Sequence, residues 1–188
     1  NVNLTILLFN NRIYGLTKGQ YSPTSEEGKV TKSTPFGSID HPFNPLSVAL
    51  GAEASFVART HDLDRKHMMN VFRAAHSHKG ASFVEIYQNC NVFNDAAFDG
   101  VTGKQAREEM MIDLVHGQPI RFGPDGAKGV VMGSDGQLRI VAVAEVGEDK
   151  LLVHDAHRAD PGLAFALARL SHDDHSPTPF GIFRDVQR

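Results

Sequence analysis

The sequence predicts an α/β fold built on a parallel sheet, with a small β-rich appendage at its C-terminal end. Three observations carry this. Ser55–Tyr87 reads as strand, amphipathic helix, strand at βαβ spacing. Asn3–Phe9 (NLTILLF) is a short apolar run without alternation, the pattern of a strand buried on both faces of a parallel sheet. Downstream, "GPDGAKGVVMGSDGQLRIVAVAEV" alternates short apolar stretches with Asp-Gly turns, as antiparallel strands do.

The elements follow in order. After the first strand, the chain from Arg12 to Asn44 is polar and rich in Gly, Pro, Ser and Thr, and structureless stretches this long are usually functional or disordered. Asn44-Pro45 reads as a helix cap with proline at the first helical position, leading into LSVALGAEA. Ser55–Arg59 is a second strand. Asp62 is placed to cap a helix running to about His76, with Leu63, His67, Val71 and Ala74 or Ala75 near one face. Ser82–Tyr87 is a third strand, which a right-handed crossover would set parallel to the second. Gln88–Gly103 is irregular and contains the only cysteine. A helix is predicted over about Lys104–His116, a last helix over Asp160–Leu170, and a short strand over Phe180–Arg184. The expected domains are 1–103, the C-terminal part of a larger sheet domain, and 104–188, a helix plus β-rich extension. The abrupt opening at Asn1, almost inside a strand, predicts that the fold continues upstream.

Composition narrows the function. The 188 residues suit one compact domain, alone or with a small appendage. A net charge of −3 advertises neither nucleic acid nor an anionic membrane as a partner. No apolar run approaches the roughly 18 residues of a membrane span, and no signal segment opens the chain. One cysteine excludes an internal disulfide and fits a reducing cytoplasm.

In open α/β sheets, ligands sit beyond the carboxyl ends of the strands. Asn10-Asn11 and Gln88-Asn89-Cys90 both lie at such ends. Amide oxygens and free backbone carbonyls are hard ligands that suit magnesium held against phosphates. Spacing alone leaves a plain turn as the alternative at Asn10-Asn11, a small buried apolar residue at Cys90, and a solvated loop residue at Lys18. The histidine groups His76-Ser77-His78, His154–His157 and His172–His175 match no zinc framework and read as surface histidine. "GPDGAKG" lacks the order of a phosphate-binding P-loop.

Longer stretches are more specific. "LFNNRIYGLTKGQYSPTS", "TPFGSIDHPFNPLSVALGAEASFVAR" and "HKGASFVEIYQNCNVFND", followed by "GQPIRFGPDGAKGVV", "LLVHDAH" and "FGIFRDV", closely resemble the β subunit of 2-oxoacid:ferredoxin oxidoreductases, in particular the two-subunit 2-oxoglutarate type. The resemblance covers essentially the whole chain and implies a thiamine diphosphate-binding fold, incomplete at its N-terminus. It implies an enzyme that decarboxylates a 2-oxoacid on thiamine diphosphate, sends electrons through a 4Fe-4S cluster to ferredoxin and passes the acyl group to coenzyme A.

By the same resemblance Asn11 and the carbonyl of Ile13 would hold magnesium, and Asn10 would brace the turn. Tyr14, Gly15, Leu16 and Thr17 would lie along the diphosphate, and Lys18 would receive the distal carboxylate of 2-oxoglutarate. Cys90 would be the fourth cluster ligand. The Gly-Asp-Gly aspartate of the family's magnesium site and the other three cysteines are not in this sequence. No catalytic residue is assigned within the chain, because the family's activating glutamate comes from the partner domain, which implies an α subunit. Pyruvate or branched-chain 2-oxoacids stay open as substrates. A non-catalytic interaction protein on an inherited fold is the alternative from another class.

Overall fold

The computed structural model describes residues 2–171 and 176–187. Its elements are β1 (Leu4–Asn10), α1 (Pro45–Gly51), β2 (Phe56–His61), α2 (Arg65–Ser77), β3 (Ala81–Tyr87), α3 (Asp99–Thr102), α4 (Arg107–Met110), β4 (Met111–Leu114), β5 (Arg121–Phe122), β6 (Lys128–Met132), β7 (Leu138–Ala142), α5 (Val143–Val146), α6 (Gly162–Ala168) and β8 (Thr178–Asp185). Five strands form one sheet in the order β1-β3-β2-β8-β4, and β5-β6-β7 form a second, antiparallel sheet. The predicted α/β class is borne out, with β1, β3 and β2 mutually parallel.

The sheet carries helices on both faces. Val71 and Ala75 of α2 pack on Phe56, Ala58, Val84 and Ile86. On the other side Leu46 and Leu50 of α1 join Leu163 and Leu167 of α6 over Val57 and Phe183. Alternation along β2 explains the division, because successive side chains point to opposite faces. The second sheet is held by the same core, through Phe122 and Val130 against Ile112 and Leu114.

Local signals account for the helix starts. Asn44 caps α1, its Oδ1 accepting from the Ser47 amide at 3.1 Å, and its Nδ2 donates to the Ala168 carbonyl at 2.8 Å. One capping residue thus joins α1 to the end of α6. The α2 cap is Asp64, which accepts from the His67 amide at 2.9 Å. Asp62 was the expected cap. It lies too early, and its carboxylate accepts from the Asn89 amide at 3.1 Å.

Four other expectations change. β1 is not buried on both faces: Leu4, Ile6 and Phe9 are 51%, 46% and 55% exposed. It pairs only with β3 among the described residues, and an apolar run does not reveal what covers it. The helix predicted over Lys104–His116 is only the four residues of α4. Met111–Leu114 instead buries Ile112 and Leu114 alternately as β4, paired with β8 at a separation of 67 residues (Met111 with Thr178), beyond the reach of local pattern. Within 104–188, β4 and β8 lie in the main sheet, so the β-rich addition proper is β5–β7. His78 and His154 are buried rather than superficial. His78 bridges Asp185 and the Ser55 hydroxyl, both at 2.8 Å, and His154 Nε2 donates to the Ile182 carbonyl at 2.7 Å. His172–His175 lie outside the described residues.

Candidate functional site

The site candidate lies where β1 and β3 end together. The parallel register sets Asn10 beside Tyr87, so the chain leaves both strands at one edge and enters the Asn11–Gly19 and Gln88–Phe98 loops side by side.

The first loop begins with a tight turn. Asn10 is buried, and its Oδ1 accepts from the Arg12 amide at 3.1 Å and from the Thr24 hydroxyl at 2.7 Å. Arg12 has φ of 54°, a left-handed conformation that is uncommon outside glycine. Its carbonyl is held by the Ser25 hydroxyl at 2.6 Å, while its guanidinium lies over the Phe98 ring at 4.8 Å. Asn11 Oδ1 reaches the Ile13 amide at 3.3 Å, an Asx-type turn, and Ile13 is buried. The turn places an amide oxygen and the Ile13 backbone at one strand end, a hard-oxygen donor pair of the type magnesium takes. With only this pair from the chain, most of an octahedral shell would come from elsewhere.

Tyr14–Gly19 closes on itself. The Tyr14 amide donates to the Gln20 carbonyl at 2.8 Å, and the Gly19 amide and Thr17 hydroxyl both donate to the Tyr14 carbonyl at 3.1 Å. Leu16 is fully exposed, and Thr17 and Lys18 are exposed. Gly15 and Gly19 pack against Phe93 of the second loop, and a Cβ on Gly19 would meet that ring at 3.3 Å. The long segment behind this hairpin is ordered by buried serines. Ser38 Oγ donates to the Glu26 carbonyl at 2.9 Å and accepts from the Lys29 amide at 3.0 Å.

Cys90 is half-buried at the start of the second loop, and its carbonyl accepts from the Asn94 amide at 2.9 Å. Asn94 is the residue that joins the two loops. Its Nδ2 donates to the Asn11 carbonyl at 3.0 Å, and its Oδ1 accepts from Lys29 Nζ at 2.5 Å. Nothing in the sequence marks Asn94, because asparagine is ordinary in a polar loop. Cys90 is a free cysteine, and among the described residues no group of three or more His, Cys, Asp or Glu is arranged to hold a metal.

Beneath the loops lies a buried ion pair. Arg59 and Glu85, 2% and 1% exposed, meet through Nε and Oε2 at 2.8 Å, and Glu85 Oε1 accepts from Asn10 Nδ2 at 2.8 Å. Burial opposes the Arg59 charge, but the Tyr87 oxygen and Glu85 outweigh it and hold its pKa above the ordinary value. Burial likewise raises Tyr87, only partly offset by Arg59. A cavity of about 260 Å³ opens beside this pair, lined by Asn10, Arg12, Arg59, Tyr87 and Arg169. The signal for the pair was a single charge in each of two apolar strands, SFVAR and SFVEIY.

Residues 1–86 match the family model described as "Thiamine pyrophosphate enzyme, C-terminal TPP binding domain". That span includes the Asn10–Lys18 loop and stops short of Cys90. Over all 188 residues the chain is 57% identical to the 2-oxoglutarate oxidoreductase subunit KorB of Mycobacterium tuberculosis, covering 50% of that protein. The chain is a homologue of the 2-oxoacid:ferredoxin oxidoreductase β subunits. The β subunit of Saccharolobus solfataricus is 42% identical over 95 residues, 50% of this chain and 31% of that one. The 2-oxoglutarate:ferredoxin oxidoreductase from Magnetococcus marinus, solved with 2-oxoglutarate, coenzyme A and succinyl-CoA bound, superposes with a TM-score of 0.67 at 26% identity, covering all of this chain and 49% of that one. The chain therefore spans half or less of the length of these matched proteins. Among the described residues, no helix is long and apolar enough to cross a membrane.

Proposed function

We propose that the chain serves as part of the β subunit of a 2-oxoglutarate:ferredoxin oxidoreductase, working with an α subunit. The reaction is oxidative decarboxylation of 2-oxoglutarate to succinyl-CoA, with electrons leaving through a 4Fe-4S cluster to ferredoxin. The observation that carries this reading is 57% identity along the entire chain to a 2-oxoglutarate oxidoreductase subunit.

Thiamine diphosphate, when bound, supplies the electron sink that makes loss of carbon dioxide from a 2-oxoacid feasible. This chain's part is to bind and orient. Asn11 Oδ1 and the Ile13 carbonyl serve as magnesium ligands, and Asn10 fixes the turn between them. Tyr14, Gly15, Leu16 and Thr17 line the diphosphate side, and the loop backbone supplies donors there. Lys18 is a point charge for the distal carboxylate of the substrate. Cys90 gives one thiolate to a cluster whose other ligands come from outside this chain. The proton-accepting group that activates the cofactor comes from the α subunit.

The test is to purify the whole β subunit with its α partner and assay 2-oxoglutarate, pyruvate and a branched-chain 2-oxoacid with ferredoxin as acceptor. The reading expects a kcat/KM for 2-oxoglutarate at least tenfold above the others. Equal use of all three, or turnover only with pyruvate, overturns the substrate assignment.

A further inference from the structure

We infer that Glu85 is the positioning residue of the magnesium turn: it sets which way the Asn10 amide faces and, through that amide, the shape of the Asn10–Ile13 turn. The inference rests on the cofactor role proposed above for Asn11.

A carboxamide is asymmetric. One end of the Asn10 side chain only accepts hydrogen bonds and the other only donates. The turn needs the accepting end, because Oδ1 takes the Arg12 amide at 3.1 Å and the Thr24 hydroxyl at 2.7 Å. Rotating the amide by half a turn would present an NH2 group to the Arg12 N–H. Glu85 forbids that rotation. Its carboxylate accepts only, and Oε1 lies 2.8 Å from Asn10 Nδ2.

Glu85 is itself held from the far side. Arg59 Nε donates to Oε2 at 2.8 Å, and Arg59 Nη1 reaches the Pro179 carbonyl and the Ser171 hydroxyl, both at 3.3 Å. The Arg59 guanidinium lies over the Tyr87 ring at 5.0 Å and the Phe183 ring at 5.7 Å. A chain of directed contacts thus runs from β8 through Arg59 and Glu85 to Asn10 and then to the Arg12 amide. Arg12 adopts the left-handed conformation that turns the chain, which then presents Asn11 and Ile13.

Stability alone is a weak reason for such a pair. Desolvating two charges costs about as much as their attraction returns, and apolar residues of similar size often do as well. Its direction is what an apolar pair could not supply. Neither Glu85 nor Arg59 is proposed to touch the cofactor.

The experiment exchanges donors for acceptors in the assembled enzyme. E85Q keeps size and shape but offers one acceptor and one donor. With its oxygen on Arg59, its NH2 faces the Asn10 NH2. N10D alone sets two carboxylates against each other. Combined, E85Q/N10D restores every pairing: the carboxylate introduced at position 10 accepts from the new amide, from the Arg12 N–H and from Thr24. The net charge of the cluster is also kept. Thiamine diphosphate affinity is measured calorimetrically at several magnesium concentrations, with thermal unfolding followed in parallel.

E85Q and N10D should each weaken affinity about tenfold, most at limiting magnesium, and the double variant should return to within about threefold of wild type. Wild-type affinity in both single variants overturns the inference, as does a double variant as weak as the two losses combined. Should E85Q not fold, the double variant decides, since it must both fold and bind. Asn11→Ala distinguishes the cofactor role from the positioning role. Unchanged affinity there removes the cofactor reading and Glu85 with it. A loss there, with E85Q at wild-type affinity, removes Glu85 alone.

Discussion

Asn94 Nδ2 lies 3.0 Å from the carbonyl oxygen of Asn11 and 3.4 Å from that of Arg12, and this side chain ties the loop that carries Cys90 to the turn that carries the proposed magnesium ligand. The same side chain accepts from Lys29 Nζ, and its backbone amide closes on the Cys90 carbonyl. The β1–β3 register sets the two strand ends side by side, and this buried amide joins the loops that leave them.

Asn94→Ala should loosen both loops at once. The Asn11 carbonyl loses a buried donor, and an unmet buried polar group costs about 1–3 kcal/mol. In the assembled enzyme, thiamine diphosphate affinity and iron content should fall together. Asn94→Asp is the sharper variant, because it keeps an acceptor for Lys29 but turns an oxygen toward the Asn11 carbonyl. It should lower cofactor affinity at least as much as the alanine variant does. Wild-type affinity and iron content in both variants would show that Asn94 does not couple the loops.

The sheet was readable from the sequence where its information is local. Asn44-Pro45 announces a helix start, and Ser55–Tyr87 announces a βαβ unit, since both signals sit within a few residues of what they specify. β8 was legible too, as the strand expected over Phe180–Arg184, but β4 was not. It is four residues long, and what makes Met111–Leu114 a strand is its partner at Thr178–Gly181. The site divides in the same way. Asn10, Asn11 and Cys90 stand out at strand ends, where function is expected. The side chains of Glu85, Arg59 and Asn94 act through partners that folding brings from 26 to 120 residues away, and no single-site pattern reports such partners.

Lys18 carries a second testable consequence. Its φ of 65° lies in the left-handed region, where a non-glycine residue costs roughly 1 kcal/mol. Lys18→Gly should therefore leave the fold as stable as before, or slightly more so. If the lysine receives the distal carboxylate of 2-oxoglutarate, the variant should lose about tenfold in kcat/KM for that substrate and little for pyruvate, which has no second carboxylate. Equal losses on both substrates, measured beside an unchanged melting curve, would take Lys18 out of substrate selection.

A pH effect follows from His154. Its Nε2–H donates to the Ile182 carbonyl, and Nδ1 is buried with no hydrogen-bond partner among the described residues. Burial lowers its pKa below the ordinary 6.5, the Ile182 carbonyl offsetting this only in part, so the folded state holds the ring neutral. The unfolded chain takes up the proton first as pH falls. The stability this provides is complete above the unfolded value and is lost as pH drops from about 6.5 through the lower folded value. His61 shifts the same way, through burial and then the nearby His67. Urea unfolding from about pH 7.5 to about pH 5.5 should show this loss, and His154→Gln should flatten the slope while keeping a donor for Ile182. An unchanged slope in that variant would assign the pH dependence elsewhere.

Cys90 offers the test that separates electron transfer from cofactor binding. It opens the Gln88–Phe98 loop, half-buried, and it is the only thiol in the chain. If it is a cluster ligand, Cys90→Ala in the assembled enzyme removes one of the thiolates a 4Fe-4S centre usually needs, and the cluster should be lost or degraded. The turn at Asn10–Ile13 is built from its own contacts to Thr24, Ser25 and Glu85, none of which involves the thiol. Thiamine diphosphate should therefore still bind with near wild-type affinity, while ferredoxin reduction collapses. Cys90→Ser should rescue little, since a hydroxyl is a harder and poorer ligand for such a cluster. A packing role predicts a different pattern. Trimming a small half-buried side chain costs at most about 1–2 kcal/mol and leaves iron content, visible absorbance and ferredoxin reduction untouched. Full iron content and normal electron transfer in Cys90→Ala would place the fourth ligand somewhere other than this loop.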